Sequence, residues 1–135
     1  MKLSVGTQII IDVDPLDPYF PTGLTVSKGE QYQFKAQGKW KDASQICGPT
    51  GWKSWWTTYI LQFSRLPNKD LFYLGGNIGK DETSNFPIGS YAVQDIETTG
   101  TLYLFANDLR HFYSNNSKAS PTEGGPLTVV IRRLA

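Results

Sequence analysis

Hydrophobic and polar residues trade places at every second position over several short stretches of this chain, and no amphipathic helical pattern of ten or more residues runs uninterrupted. A period of two marks a strand with one face buried. It is clearest over 31–37, where Tyr32, Phe34 and Ala36 alternate with Gln31, Gln33, Lys35 and Gln37. Further strands are predicted over 7–13, with its β-branched Ile9, Ile10 and Ile11, and over 24–26, 58–63, 71–74, 91–96 and 127–132. Segment 101–106 puts Leu102 and Leu104 on one face and Tyr103 and Phe105 on the other. Two apolar faces predict a central strand covered on both sides. Turn signals separate these runs: Asp14-Pro15-Leu16-Asp17-Pro18, Ser27-Lys28-Gly29-Glu30 and Glu97-Thr98-Thr99-Gly100. Stretches 41–56 and 117–126 read as irregular, the second as a loop inserted before the last strand. The pattern predicts an all-β fold, an antiparallel β-sandwich of about seven or eight short strands.

A chain of 135 residues fits one domain, residues 1–135, with a core large enough to need no disulfide. The single cysteine, Cys47, could not form one internally. Thirteen basic and twelve acidic residues are spread without a block, which argues against nucleic acid and anionic membrane as partners. No apolar run is long enough for a transmembrane segment. The first residues lack the features of a secretory signal, so the expectation is synthesis in the cytoplasm, with any extracellular action following non-classical release.

Candidate chemistry concentrates just after the central strand, in Asn107-Asp108-Leu109-Arg110-His111-Phe112-Tyr113-Ser114-Asn115-Asn116-Ser117. One carboxylate and three amides supply hard oxygen, the donor type that Ca²⁺ takes. The competing reading is an Asx-rich turn whose side chains bond the local backbone.

This segment, with the terminal run Leu127-Thr128-Val129-Val130-Ile131, resembles the bacterial galactophilic lectin family, the LecA-like calcium-dependent galactose-binding lectins. Upstream, Tyr32-Gln33-Phe34-Lys35-Ala36-Gln37-Gly38-Lys39-Trp40, Phe72-Tyr73-Leu74-Gly75-Gly76-Asn77-Ile78-Gly79 and Gly100-Thr101-Leu102-Tyr103-Leu104-Phe105 are similar, in order, to that family's early, middle and site-delivering strands. The resemblance implies a galactose-binding-domain-like sandwich of jelly-roll type. It implies one Ca²⁺ to which sugar hydroxyls bind directly, and no catalysis. Asp108, Asn115 and Asn116 would give side-chain oxygens, Phe112 a backbone carbonyl, and Asp42 a carbonyl or a carboxylate. Asp108, Leu109, Asn115 and Asp42 would touch galactose or a related sugar, with His111 and Trp52 as further ligand-facing candidates. Glycans are the expected partners, and a homo-oligomer would add avidity.

Other residues admit two readings. Trp52, Trp55 and Trp56 either pack under their loop as a satellite core or form a stacking platform for a sugar ring. Trp40 reads as core. Cys47 with His111 makes a poor nucleophile pair, and four N/S ligands for zinc are lacking. Asp12, Asp14, Asp17 and the Asp81-Glu82 pair belong to no glycosidase motif and read as solvated turns. A non-enzymatic interaction or assembly module of the same fold, with a structural calcium or no ligand, is the alternative function.

Overall fold

A computed structural model describes residues 1–135. The first sheet contains β1 (Gln8–Val13), β3 (Gln31–Gln37), β9 (Tyr91–Asp95) and β12 (Leu127–Arg133), in the order β1-β12-β3-β9. The second contains β2 (Phe20–Val26), β6 (Thr50–Trp52), β7 (Leu71–Ile78) and β10 (Gly100–Ala106), in the order β2-β10-β7-β6, with β8 (Asp81–Pro87) paired to β7. A small third sheet contains β4 (Trp40–Asp42), β5 (Gln45–Cys47) and β11 (Asn116–Lys118), in the order β11-β4-β5. Every pairing is antiparallel.

The two larger sheets face each other, as alternation requires. Tyr32 and Phe34 of β3 and Leu127, Val129 and Ile131 of β12 point inward from one side. Leu24 and Val26 of β2, Leu74 of β7 and Leu102 and Leu104 of β10 meet them from the other. The Phe34 and Phe86 rings lie 5.8 Å apart across this core, and Trp40 meets Phe72 edge-on at 5.5 Å. The predicted β-sandwich is therefore the fold, and Trp40 is core. β10 is central, between β2 and β7, with Phe105 and Ala106 buried as well as Leu102 and Leu104.

Three expectations need correction. The chain has twelve strands rather than seven or eight, nine of them in the two facing sheets, because polar β8 and the short β4, β5, β6 and β11 carry too little alternation to register as strands. Residues 58–63 are not a strand: Thr57–Ile60 form one α-helical turn, α1, followed by a 3-10 turn over Leu61–Phe63. Its start is fixed locally, since the Ser54 N–H donates to Thr57 Oγ1 at 2.8 Å and the Thr57 hydroxyl donates to the Ser54 carbonyl at 2.9 Å. The irregular stretches 41–56 and 117–126 hold β5, β6, most of β4 and β11, and a 3-10 turn over Pro121–Glu123.

Turn geometry then brings the ends of β4 and β10 together. Gly38, between β3 and β4, has φ +96° and packs so closely on Pro126 that a Cβ would lie 2.2 Å from the Pro126 carbonyl oxygen. Only glycine fits such a conformation at that distance. No helix is long and apolar enough to cross a membrane.

Candidate metal and ligand site

β10 runs out at Ala106, and the next residue anchors the loop rather than serving as a donor for an ion. Asn107 is buried: its Oδ1 accepts from the Leu66 N–H at 2.7 Å, and its Nδ2 donates to the carbonyls of Leu66, Lys69 and Asp70. A second anchor is Tyr113, whose hydroxyl donates to the Ala106 carbonyl at 2.6 Å. Between these pins the chain turns sharply. The Phe112 N–H donates to the Leu109 carbonyl at 3.2 Å, and His111 holds φ +69°, a left-handed conformation histidine tolerates better than most side chains.

Asp108 and Asn116 meet inside this turn, both buried. The Asn116 Nδ2 donates to Asp108 Oδ2 at 3.2 Å and to the Pro15 carbonyl at 3.1 Å. Asp108 Oδ1 accepts from the Leu109 N–H at 2.8 Å. Asn116 Oδ1, although buried, has no hydrogen-bond partner. Such an orphan costs roughly 1–3 kcal/mol unless something fills its coordination.

Asp42 arrives through the small sheet. It is the register partner of Asn116 across β4 and β11, and the Ala43 N–H donates to the Asn115 carbonyl at 2.9 Å. Asp42 Oδ2 accepts from the Trp52 Nε1–H at 3.1 Å. Burial raises the Asp42 carboxyl above its ordinary value, and the Trp52 bond offsets only part of this. Burial also pushes Asp108 up, to about 6, against the lowering bonds from Leu109 and Asn116; the charge of Asp42 adds to the rise. Two desolvated like charges beside an unpaired amide oxygen give this corner of the fold a negative potential.

The structure thus brings together Asp42, Asp108 and Asn116, with Trp52 bonded to Asp42; Asn115 joins them through its backbone carbonyl, and its side chain is exposed. Leu109 is half-buried, and its N–H is held by the Asp108 side chain. Phe112 is exposed, and no hydrogen bond reaches its carbonyl oxygen. The donors of hard-cation type held together here are the two carboxylates and the free Asn116 Oδ1, while the Asn115 amide and the Phe112 carbonyl are oxygens of the same type on the adjoining exposed turn. No cluster of three His, Cys, Asp or Glu side chains occurs, so the set depends on amide and backbone oxygens. His111 points elsewhere. It lines a cleft of about 520 Å³ whose walls include none of those donors, with Tyr19, Arg65, Glu82, Arg110 and Ser114.

The tryptophan loop does not form a satellite core. Trp55 is 80% exposed and Trp56 47%, while Trp52 is half-buried and meets Trp56 edge-on at 5.9 Å. Burial and the charge of Asp42 push the Cys47 thiol up to about 12, so it is not a nucleophile. Asp14 and Asp17 do cap local turns, accepting from the Leu16 and Tyr19 N–H groups. Glu82, however, is not part of a solvated turn. It lies in β8, and the Arg65 guanidinium donates to both its carboxylate oxygens, at 2.7 and 2.9 Å. Sequence reading missed this pair because its members belong to no motif; the one signal was a lone arginine between Phe63 and Leu66.

No family model and no curated protein matches the chain. Among solved structures, its fold is similar to the EclA N-terminal domain, described as a PllA-like lectin. The TM-score is 0.63 at 20% sequence identity, over 93% of this chain and 94% of that one. At that identity the likeness is one of fold.

Proposed function

We propose that this chain is a calcium-dependent carbohydrate-binding protein of the LecA-like kind that binds galactose or a related sugar without turning it over. The observation that carries the reading is the buried, unpartnered Asn116 Oδ1, on a side chain that bonds the Asp108 carboxylate and stands opposite Asp42 across the small sheet. A divalent cation there would satisfy the orphan and neutralise both acids. Asp108, Asn115 and Asn116 would hold it by side chains, Phe112 by its carbonyl and Asp42 by carboxylate or carbonyl. Calcium supplies open coordination positions that vicinal hydroxyls fill in place of water. The residues around it shape the sugar's seat. Asp108 could accept from a hydroxyl, Asn115 and Leu109 would border the ion, and Trp52 lies beside Asp42. His111 faces the neighbouring cleft and would meet only a larger glycan. The lectin fold of the structural neighbour agrees with this reading.

The test is sugar binding by calorimetry. Chelation with EDTA should abolish galactose binding, and Asp108→Ala should remove calcium and sugar together. Normal sugar binding by Asp108→Ala would refute the mechanism.

A second reading has one observation in its favour. Trp55, Tyr59, Phe63 and Phe112 expose large aromatic surface, 61–80% each, on the segment and loop joined by the Ser64–Leu109 bridge. Patches of that kind serve protein contacts, as an interaction module would require. A glycan array run in calcium separates the two, since silence across neutral sugars favours the module. Weak single sites gain avidity by repetition, so a homo-oligomer belongs to the lectin reading.

A further inference from the structure

The cleft behind the metal loop has a floor and a rim of different electrical character. Its floor is Arg65, whose side chain is only 3% exposed. The guanidinium stacks 3.7 Å from the Phe105 ring and 4.7 Å from the Tyr19 ring. Besides its two bonds to Glu82, it donates to the Pro18 carbonyl at 2.6 Å and the Tyr113 hydroxyl at 2.9 Å. Glu82 is equally committed: its Oε2 also accepts from the Tyr19 hydroxyl at 2.8 Å and from Asn77 Nδ2 at 3.3 Å. An Arg–Glu pair with this many partners, its guanidinium buried and its carboxylate half-buried, is fixed in place and neutral overall.

The rim is not neutral. Arg110, 65% exposed, lies 4.0 Å from Glu82 Oε1, an oxygen that Arg65 already holds at 2.7 Å. No other carboxylate pairs with it. The Lys80 ammonium sits 5.8 Å from the Tyr19 ring and 5.5 Å from the Tyr103 ring and makes no ion pair. His111 and Ser114 line the same space, and their side chains hydrogen-bond to nothing in the protein. Arg110 thus lines, without a carboxylate of its own, a cleft of about 520 Å³, within the size range of small-ligand sites, roughly 300–1,000 Å³, and Lys80 stands against Tyr19, one of the lining residues. Its rim residues Arg110, His111 and Ser114 belong to the turn that carries Asp108, Asn115 and Asn116.

From this arrangement we infer that the cleft is a second binding site, for the anionic group, carboxylate or sulfate ester, of an acidic saccharide. Arg110 supplies the charge at the rim, and Lys80, against the Tyr19 ring, adds to the positive potential; the Tyr19 ring over Arg65 supplies a flat wall for a sugar ring. The saccharide part of the inference rests on the lectin reading, whereas the anion part rests on the cleft alone.

The experiment follows amide NMR shifts while galactose, glucuronic acid, galactose 6-sulfate and inorganic sulfate are titrated in turn, in calcium and again in EDTA. Glucuronic acid or galactose 6-sulfate should move the amides of Arg110, His111 and Ser114 in both media, at least fivefold more tightly than galactose does in EDTA. Arg110→Ala combined with Lys80→Ala should erase that preference while leaving the fold and the galactose response in calcium intact. Equal shifts from neutral and acidic sugars, or an unchanged preference in the double variant, would overturn the inference. Inorganic sulfate binding as tightly as galactose 6-sulfate would also overturn it, in favour of a free-anion site. Failure of the calcium reading is separately visible, as a missing galactose response in calcium with the EDTA arm unaffected.

Discussion

Asn116→Ala separates the two parts Asn116 is proposed to play. In the structure its amide donates to Asp108 Oδ2 and to the Pro15 carbonyl, and its own Oδ1 is unpaired. Removing it loses two bonds of about 1 kcal/mol each and relieves an orphan of similar cost, for a net loss of about 1 kcal/mol. For 135 residues the unfolding entropy near the midpoint is about 0.28 kcal/mol/K, so the midpoint in EDTA should fall by only about 4 °C. Calcium at a hundredfold excess over Kd should raise the unaltered protein by about 2.7 kcal/mol, or about 10 °C. The variant should lose most of that rise, so the gap between the two proteins should widen to about 13 °C in calcium. Thermal melts by circular dichroism at neutral pH, with and without EDTA, read all four midpoints. Equal destabilisation in calcium and in EDTA would show that Asn116 is structural only, and would refute the argument from its free oxygen.

Other perturbations probe the scaffold. Burial pushes the Glu30 carboxyl up, but bonds from Lys2, the Ser27 N–H and Tyr32, with Arg133 nearby, outweigh it and hold the group below its ordinary value of 4.5. Its stabilisation is therefore complete above that value and drains away as pH falls below it, so urea midpoints of Glu30→Gln should show a shallower acid decline than those of the parent. Gly38→Ala must place a Cβ against the Pro126 carbonyl at positive φ, which should cost more than about 1 kcal/mol in urea unfolding and weaken the calcium response through the displaced Asp42. Arg65→Met removes the main partner of the half-buried Glu82 carboxylate, which keeps Tyr19 and Asn77, so the loss should approach the low end of the buried-pair range, about 3 kcal/mol. Adding Glu82→Gln should restore part of it; a single variant within about 1 kcal/mol of the parent would contradict the buried pair.

Much of the frame was legible because it is built from alternation. Tyr32 and Phe34 or Leu127, Val129 and Ile131 announce their inward faces directly. The run Thr57-Thr58-Tyr59-Ile60-Leu61-Gln62-Phe63 misled for a physical reason. Its β-branched and aromatic residues favour strands only where a sheet face can receive them, and here Tyr59 and Phe63 lie in solvent on a helical turn. Strand β8 escaped because Asp81, Glu82, Thr83, Ser84 and Asn85 carry no apolar partner to mark a face. At the site, Asp108, Asn115 and Asn116 stand close enough in sequence to be read as one donor group. Asp42 comes from a strand more than sixty residues earlier and was reached only through resemblance. Nothing in the order of residues joins Arg65 to Glu82, Tyr19 and Tyr113; that network exists only in three dimensions.

Calorimetric titration of metal-free protein with calcium, followed by galactose, tests the central claim most directly. One ion should bind per chain, and galactose heat should appear only after calcium has been added. Absence of any calcium uptake up to about 10⁻³ M, the weak end of protein calcium sites, would contradict the account.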